Sequence, residues 1–357
     1  MNRRAQISPW QAAVLLFSGR MLSFFLSPAG LARPSPITFC LLLLPAAVLG
    51  GMLVLPACRL LKNYPGQDLL SAAAIRWGKT AKLLSLSFFL LAQAVTVQTV
   101  SAFSSFLNAS AYPEASPWLF ILLLTAAAAY GAYMGHEPVA RFGSFVFAAL
   151  TASLLFVALQ LIPQLQWESV LPPAYDTAKE VIGLLILLTA GNAELAALLF
   201  LLPTVCEKAG SVYSRWCLLW VPAMAGAVLF TAAALGDYAD TQRFPFFTVT
   251  KIAGTTLFQR LDSLHIALWV FLAVIRLALF LQMSSACLKQ LLGPKCRSYA
   301  VWISAGLSAA AAGILSSHGK GLTTLSSILS GGLPILFCCF FLPLLLLLFG
   351  RKGGGIK

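Results

Sequence analysis

Charge is what this sequence has least of: 10% of its 357 residues are Asp, Glu, Lys or Arg, and only 11 of them are acidic. A water-soluble domain could not combine so little charge with 59% hydrophobic residues and a mean hydropathy of +0.87 without exposing a large apolar surface. Histidine is scarcer still. His136, His265 and His318 stand far apart, with no metal-ligand spacing. The eight cysteines form no CxxC pair, and most fall in or beside apolar runs, where they read as small apolar residues. A phosphate-loop lysine motif, a GxSxG and an HExxH are all missing. Nothing here calls for an enzyme, for ATP, for a metal or for any other cofactor. Short alternating segments of the outer-membrane barrel type are missing too.

What is present is a series of apolar runs long enough to cross a hydrocarbon core of about 30 Å. They fall at about 10–31, 36–58, 82–107, 117–135, 139–162, 181–203, 214–235, 264–288, 299–316 and 327–349. The expectation is therefore an all-α, polytopic protein of a bacterial cell membrane with about ten transmembrane helices. The connections are short, so the chain reads as a single membrane domain over 1–357. The opening MNRRAQISPWQ leads into an apolar stretch without a small-residue cleavage site and reads as the start of the first span.

The basic residues orient the bundle. With the N-terminus in the cytoplasm, sixteen of the 24 Lys and Arg fall on inside segments, six outside, and Arg20 and Arg276 within spans. That is a clear positive-inside bias. The acids Glu114, Glu168, Asp176, Glu180, Asp237, Asp240 and Asp262 all fall outside. The net charge of +13 thus reads as loops facing a lipid surface, with no nucleic-acid partner. Two connections carry their own pattern. The outside segment 236–263 has apolar residues at helical spacing (Phe247, Ile252, Leu257, Leu261), which suits an interfacial helix, a lid or an ordinary loop. The inside segment 59–82 contains a Tyr64-Pro65-Gly66 turn, then a short amphipathic stretch from Gln67 to Trp77.

Arg20, Glu194 and Arg276 sit well inside spans. A charge at mid-bilayer costs at least about 2.5–3.5 kcal/mol on insertion scales, so each needs a partner or a wet cavity. Arg20 follows Ser18-Gly19, and Glu194 follows Gly191-Asn192. Glycine and polarity therefore coincide in spans one and six, five spans apart. That spacing suggests two five-span repeats (about 10–162 and 181–316, with a last span at 327–349), each with a broken first helix. Such breaks point to a midplane site. The candidate ligand-binding residues are Gly19, Arg20, Gly191, Asn192, Glu194 and Arg276. Glu194 suits a ligand ammonium and Arg20 a carboxylate; alternatively an Arg–Glu pair simply locks the helices. Gln93 and Gln98 read as helix-to-helix hydrogen bonders.

Several of these features occur together in one known family. Phe244-Pro245-Phe246, then Phe258 with Arg260-Leu261-Asp262, then Trp269, supported by Ala140-Arg141-Phe142, Leu171-Pro172 and Glu194 with Leu201-Leu202-Pro203, resemble the spore germination permease family, the B subunits of germinant receptors. The resemblance implies the amino acid–polyamine–organocation superfamily and a LeuT-like five-plus-five inverted repeat with broken first and sixth spans. It implies a non-enzymatic receptor subunit of the spore inner membrane, working with A- and C-type subunits. Its ligand would be a small germinant, often an amino acid, held between spans one, six and eight, with Glu194 at the family's acidic position. The first span departs from the pattern, since Arg20 stands where relatives carry a glycine-rich, apolar break. A secondary transporter of amino acids or amines is the alternative.

Overall fold

The computed structural model describes residues 7–26, 35–64, 67–171, 176–205, 209–253, 261–293, 298–317 and 319–349. Its helices are α1 (Pro9–Phe25), α2 (Pro36–Asn63), α3 (Leu69–Trp77), α4 (Ala81–Ser110), α5 (Pro117–Met134), α6 (His136–Leu161), α7 (Ala178–Thr189), α8 (Glu194–Leu201), α9 (Ala209–Leu235), α10 (Tyr238–Thr241), α11 (Pro245–Ile252), α12 (Leu261–Leu292), α13 (Ala300–Ser317), α14 (Gly319–Ser330) and α15 (Leu333–Phe349). Among the described residues there is no strand; a lone parallel bridge joins Ile7 to Val205.

Local chemistry accounts for where these helices start. Ser8 and Gln11 form a reciprocal capping box ahead of Pro9, and Thr177 and Glu180 form another ahead of α7. Asp68 caps α3 through the Ser71 amide at 2.6 Å. The short amphipathic helix expected in 59–82 is α3. Its Arg76 donates to the Leu347 carbonyl of α15 at 2.7 Å, which ties this connection to the end of the last helix.

Among the described residues seven helices, with α7 and α8 counted as one, are long and apolar enough to cross a membrane, and α13 with α14 would make an eighth. The ten spans expected from the sequence also draw on α1 and α15. The first has 17 residues, about 25 Å of helix. The outward faces are themselves apolar: Leu41, Leu44, Val48 and Met52 of α2 are all exposed. A surface apolar inside and out is one that lipid solvates.

Long, largely buried α12 runs through the bundle and packs against α1, α4, α5, α6 and α13. Between α4, α12 and α13, Gln93 donates to Ser284 Oγ at 2.8 Å and to the Ser304 carbonyl at 3.2 Å, and accepts from Ser308 at 2.5 Å. Gln93 is thus the helix-to-helix bonder the sequence suggested. The α11 segment does not lie free in an interface. Phe246 stacks near Phe24 and Phe25 of α1 (centroids at 4.5 and 5.6 Å), and Phe244 and Phe247 both meet Phe106 of α4 at 5.1 Å. Trp269 lies parallel to Phe25 at 5.1 Å. These rings pack the α11 segment against the end of α1 and against α4 and α12. Leu257 and Phe258 lie outside the described residues.

Candidate polar site at a broken helix

The break expected in span six is present. Helix α7 ends at Thr189 and α8 begins at Glu194. The Gly191 amide reaches back to the Ile186 carbonyl at 3.0 Å, and the Asn192 amide to Thr189 at 3.2 Å, so the ordinary ladder is lost over one turn. Gly191 is needed there for space: a Cβ would sit 2.6 Å from the Leu187 carbonyl oxygen and 3.0 Å from that of Ser330. A second break, between α14 and α15, faces the first. Gly332 holds a left-handed φ of 77° and lies against Ala190, so closely that a Cβ would come within 2.3 Å of the Ala190 methyl.

The break expected near Gly19 is absent. Helix α1 runs unbroken from Pro9 to Phe25. One glycine lowers helix propensity by about 1 kcal/mol without removing a hydrogen bond. Ser18, the neighbouring polar group, bonds inside the helix, donating to the Val14 carbonyl at 2.9 Å. The use of Gly19 is lateral. A Cβ there would lie 2.9 Å from Glu194 Oε1 and 3.4 Å from Arg276 Cγ. The missing side chain lets the α8 carboxylate and the α12 guanidinium lie against α1.

Glu194 and Arg276 are the ion pair. Arg276 Nε is 2.9 Å from Glu194 Oε1, with side chains 4% and 1% exposed. The contact lies off the line of a hydrogen bond, and Arg276 directs Nη1 to Ser23 Oγ at 2.9 Å instead. Ser23 is one helical turn beyond Gly19, on the same face of α1. Arg20 does not pair with Glu194: no carboxylate of the described residues comes within ion-pair distance of it. Its Nη2 donates to the Leu188 carbonyl at 3.0 Å, and its guanidinium carbon lies 5.5 Å from the centre of the Trp220 ring. Leu188 is in the last turn of α7, where carbonyls lack helical partners and the helix dipole is negative. Arg20 is therefore a cap on the first half of the broken span.

Five buried polar atoms at this place have no hydrogen-bond partner among the described residues, the off-line ion contact aside: both Glu194 oxygens, Asn192 Oδ1, Arg20 Nε and Arg276 Nε. Two guanidinia face one carboxylate, leaving a formal excess of one positive charge inside the bundle. All six residues singled out in the sequence thus gather around one broken helix. The sequence did not point to Ser23, Trp220 or the Gly332 turn. The Gly331-Gly332-Leu333-Pro334 run carried a breaker signal, and Ser23 follows from Gly19 by helical spacing. Trp220 carried none. Among the described residues no group of histidine, cysteine and acidic side chains could hold a metal; His265 meets Ser153 Oγ at 3.2 Å, and His318 lies outside the described residues.

Comparison with known proteins adds two findings. A family model described as "Spore germination protein" matches residues 39–318. The structure reported as "Substrate-bound outward-open state of a Na+-coupled sialic acid symporter reveals a novel Na+-site" is similar to this chain with a TM-score of 0.64 at 14% sequence identity, over 95% of this chain and 80% of that one. At that identity the likeness concerns the fold, which is of the LeuT-like transporter type. No curated protein matches the sequence.

Proposed function

The chain belongs to the spore germination protein family, and from that premise we propose that it is a germinant-sensing membrane subunit, binding a small zwitterion such as an amino acid at the broken span. The observation that carries this reading is the set of unpaired atoms around the break. Glu194 Oε2 can accept from a ligand ammonium, and Arg20 Nε can donate to its carboxylate. The excess positive charge favours a ligand that brings a carboxylate. Arg20 is held by Leu188 and Trp220, outside ion-pair distance of Glu194, and its Nε is left open to a ligand. The aromatic segment α11 lies against the end of α1 that carries Ser23 and Arg20, where closure over a bound ligand would be felt. In this reading the protein signals to A- and C-type subunits in the spore inner membrane.

A thermal-shift screen of the purified protein against amino acids, nucleosides and sugars tests the reading. A ligand that binds only the folded state raises Tm. An amino acid is expected to do so, and the shift is expected to vanish in the Glu194→Gln, Arg276→Gln double variant, which removes the charge pair together. If no amino acid raises Tm, or the double variant responds fully, the assignment is withdrawn.

A second reading, secondary transport of an amino acid or amine, has one observation in its favour: the similar fold belongs to a symporter. The fold serves sensing and transport alike. Uptake of ligand into proteoliposomes containing this chain alone would establish transport.

A further inference from the structure

Away from the ion pair the structure holds a half-open pocket of about 180 Å³, lined in part by Leu70, Phe200, Met283 and Ala286 with His136 and Gln282. Phe200 is six residues beyond Glu194 in α8, and Gln282 six beyond Arg276 in α12. About 9 Å of helix therefore separates the pocket from the pair. It lies toward the end of the bundle where α3 begins, α6 begins and α8 ends.

Gln282 is 7% exposed, and neither its amide nitrogen nor its amide oxygen has a hydrogen-bond partner. A buried primary amide with nothing bonded at either end is rare in folded proteins and calls for an occupant. His136 Nδ1, also on the wall, is likewise buried and unpartnered. The rest of the wall is chiefly apolar. Its acidic member, Asp68, is exposed and accepts from the Ser71 amide at Oδ1, so no buried charge waits for an ionic ligand.

We propose that this pocket is a second binding site, one for a small uncharged ring compound that presents a carboxamide or lactam edge to Gln282. Size and chemistry both lead there. A dry apolar cavity of about 150 Å³ holds a benzene molecule, so this one accommodates a six-membered ring with a small substituent. The glutamine amide offers a donor and an acceptor side by side in one plane. Its complement is an edge with a carbonyl next to an N–H. The apolar wall covers the faces of the ring, and His136 Nδ1 takes a further polar substituent as donor or acceptor according to its tautomer.

The test uses the full chain in detergent, with nicotinamide and uracil as probes and with benzoate and toluene as charged and apolar comparators. Nicotinamide or uracil at millimolar concentration is expected to raise Tm, and the comparators are not. Gln282→Leu should weaken the probe's affinity at least about tenfold, the loss of its donor–acceptor pair. Gln282→Met serves if the leucine variant folds poorly. The Glu194→Gln, Arg276→Gln double variant should keep the response, because that pair belongs to the other site. A flat response to both amide probes overturns the proposal and leaves water as the occupant. So does an equal response to toluene, or a shift that survives replacement of Gln282.

Discussion

Arg276 on α12 places its Nε 2.9 Å from Oε1 of Glu194, the first residue after the break in span six. The contact joins α8 to α12 at a point where neither partner reaches solvent. Desolvating two charges costs most of what their attraction returns, so such a pair is weak evidence for stability but is costly to break on one side.

Glu194→Gln alone should therefore lower stability by roughly 3–5 kcal/mol, because it leaves Arg276 buried without its counter-charge. Adding Arg276→Gln should recover most of that loss. Folded yield and Tm of the single and double variants measure it. Arg20→Gln added to Glu194→Gln should not rescue, since Arg20 bonds the Leu188 carbonyl instead. Rescue by Arg20→Gln in place of Arg276→Gln would show the pairing to be wrong.

Gly19→Ala puts a methyl 2.9 Å from Glu194 Oε1. The Glu194 carboxylate, held in contact with Arg276, must shift to make room, and overpacking of this kind costs about 1–3 kcal/mol. Helix propensity alone would favour alanine by up to about 1 kcal/mol. Gly226→Ala in α9, where a Cβ meets nothing within 4 Å, isolates that propensity gain. The expected outcome is opposite signs for the two changes in paired melting curves.

Asp176, in the connection before α7, accepts from the Ser35 amide at 2.8 Å and Ser35 Oγ at 3.0 Å, and from Thr38 Oγ1. Its slight burial would raise the carboxyl, but these hydrogen bonds from Thr38 and Ser35 outweigh it and hold the pKa below the ordinary carboxylate value. A group depressed on folding contributes stability above its unfolded pKa of about 3.9 and loses it as pH falls through the folded value. Asp176→Asn should be less stable than the parent near neutrality, and the difference should shrink as pH drops below about 4. Tm measured across that range reads it. A constant difference would mean the carboxylate charge is immaterial to the α2–α7 junction.

The orientation proposed from the basic residues is open to direct labelling. In a cysteine-free background, Asp240→Cys should react with an impermeant thiol reagent from outside, and Lys62→Cys should react only after permeabilisation. Both positions are exposed. The opposite pattern would invert the topology.

Much of the candidate site was legible residue by residue. The break at Gly191-Asn192 follows from a glycine and a polar side chain ahead of a buried acid, and helix α3 follows from the Tyr64-Pro65-Gly66 turn and the amphipathic run from Gln67 to Trp77. At Gly19 the same pattern accompanies an unbroken helix. A glycine inside an apolar helix is compatible with a break and with a close contact, and only the neighbour's position separates the two. Here the neighbour is Glu194, 2.9 Å from where a Cβ would be. The role of 236–263 was open for a similar reason, since Phe244, Phe246 and Phe247 suit a lipid interface or packing on the bundle until Phe24, Phe25 and Phe106 are known to lie opposite.

The sequence by itself determined the membrane character, the helical class and the family. Each depends on properties local to the chain: the length of apolar runs, the scarcity of charge, and the run of motifs from Phe244 to Trp269. It also marked three intramembrane charges as needing partners, because the cost of burying them does not depend on the fold. Which partner each one found was a tertiary decision. Arg20 and Arg276 are chemically alike and equally entitled to Glu194. The packing of α1 and α12 around the broken span turned Arg20 to the Leu188 carbonyl and Arg276 to the carboxylate. Charge has no direction along a sequence, and only the relative placement of three helices supplied one.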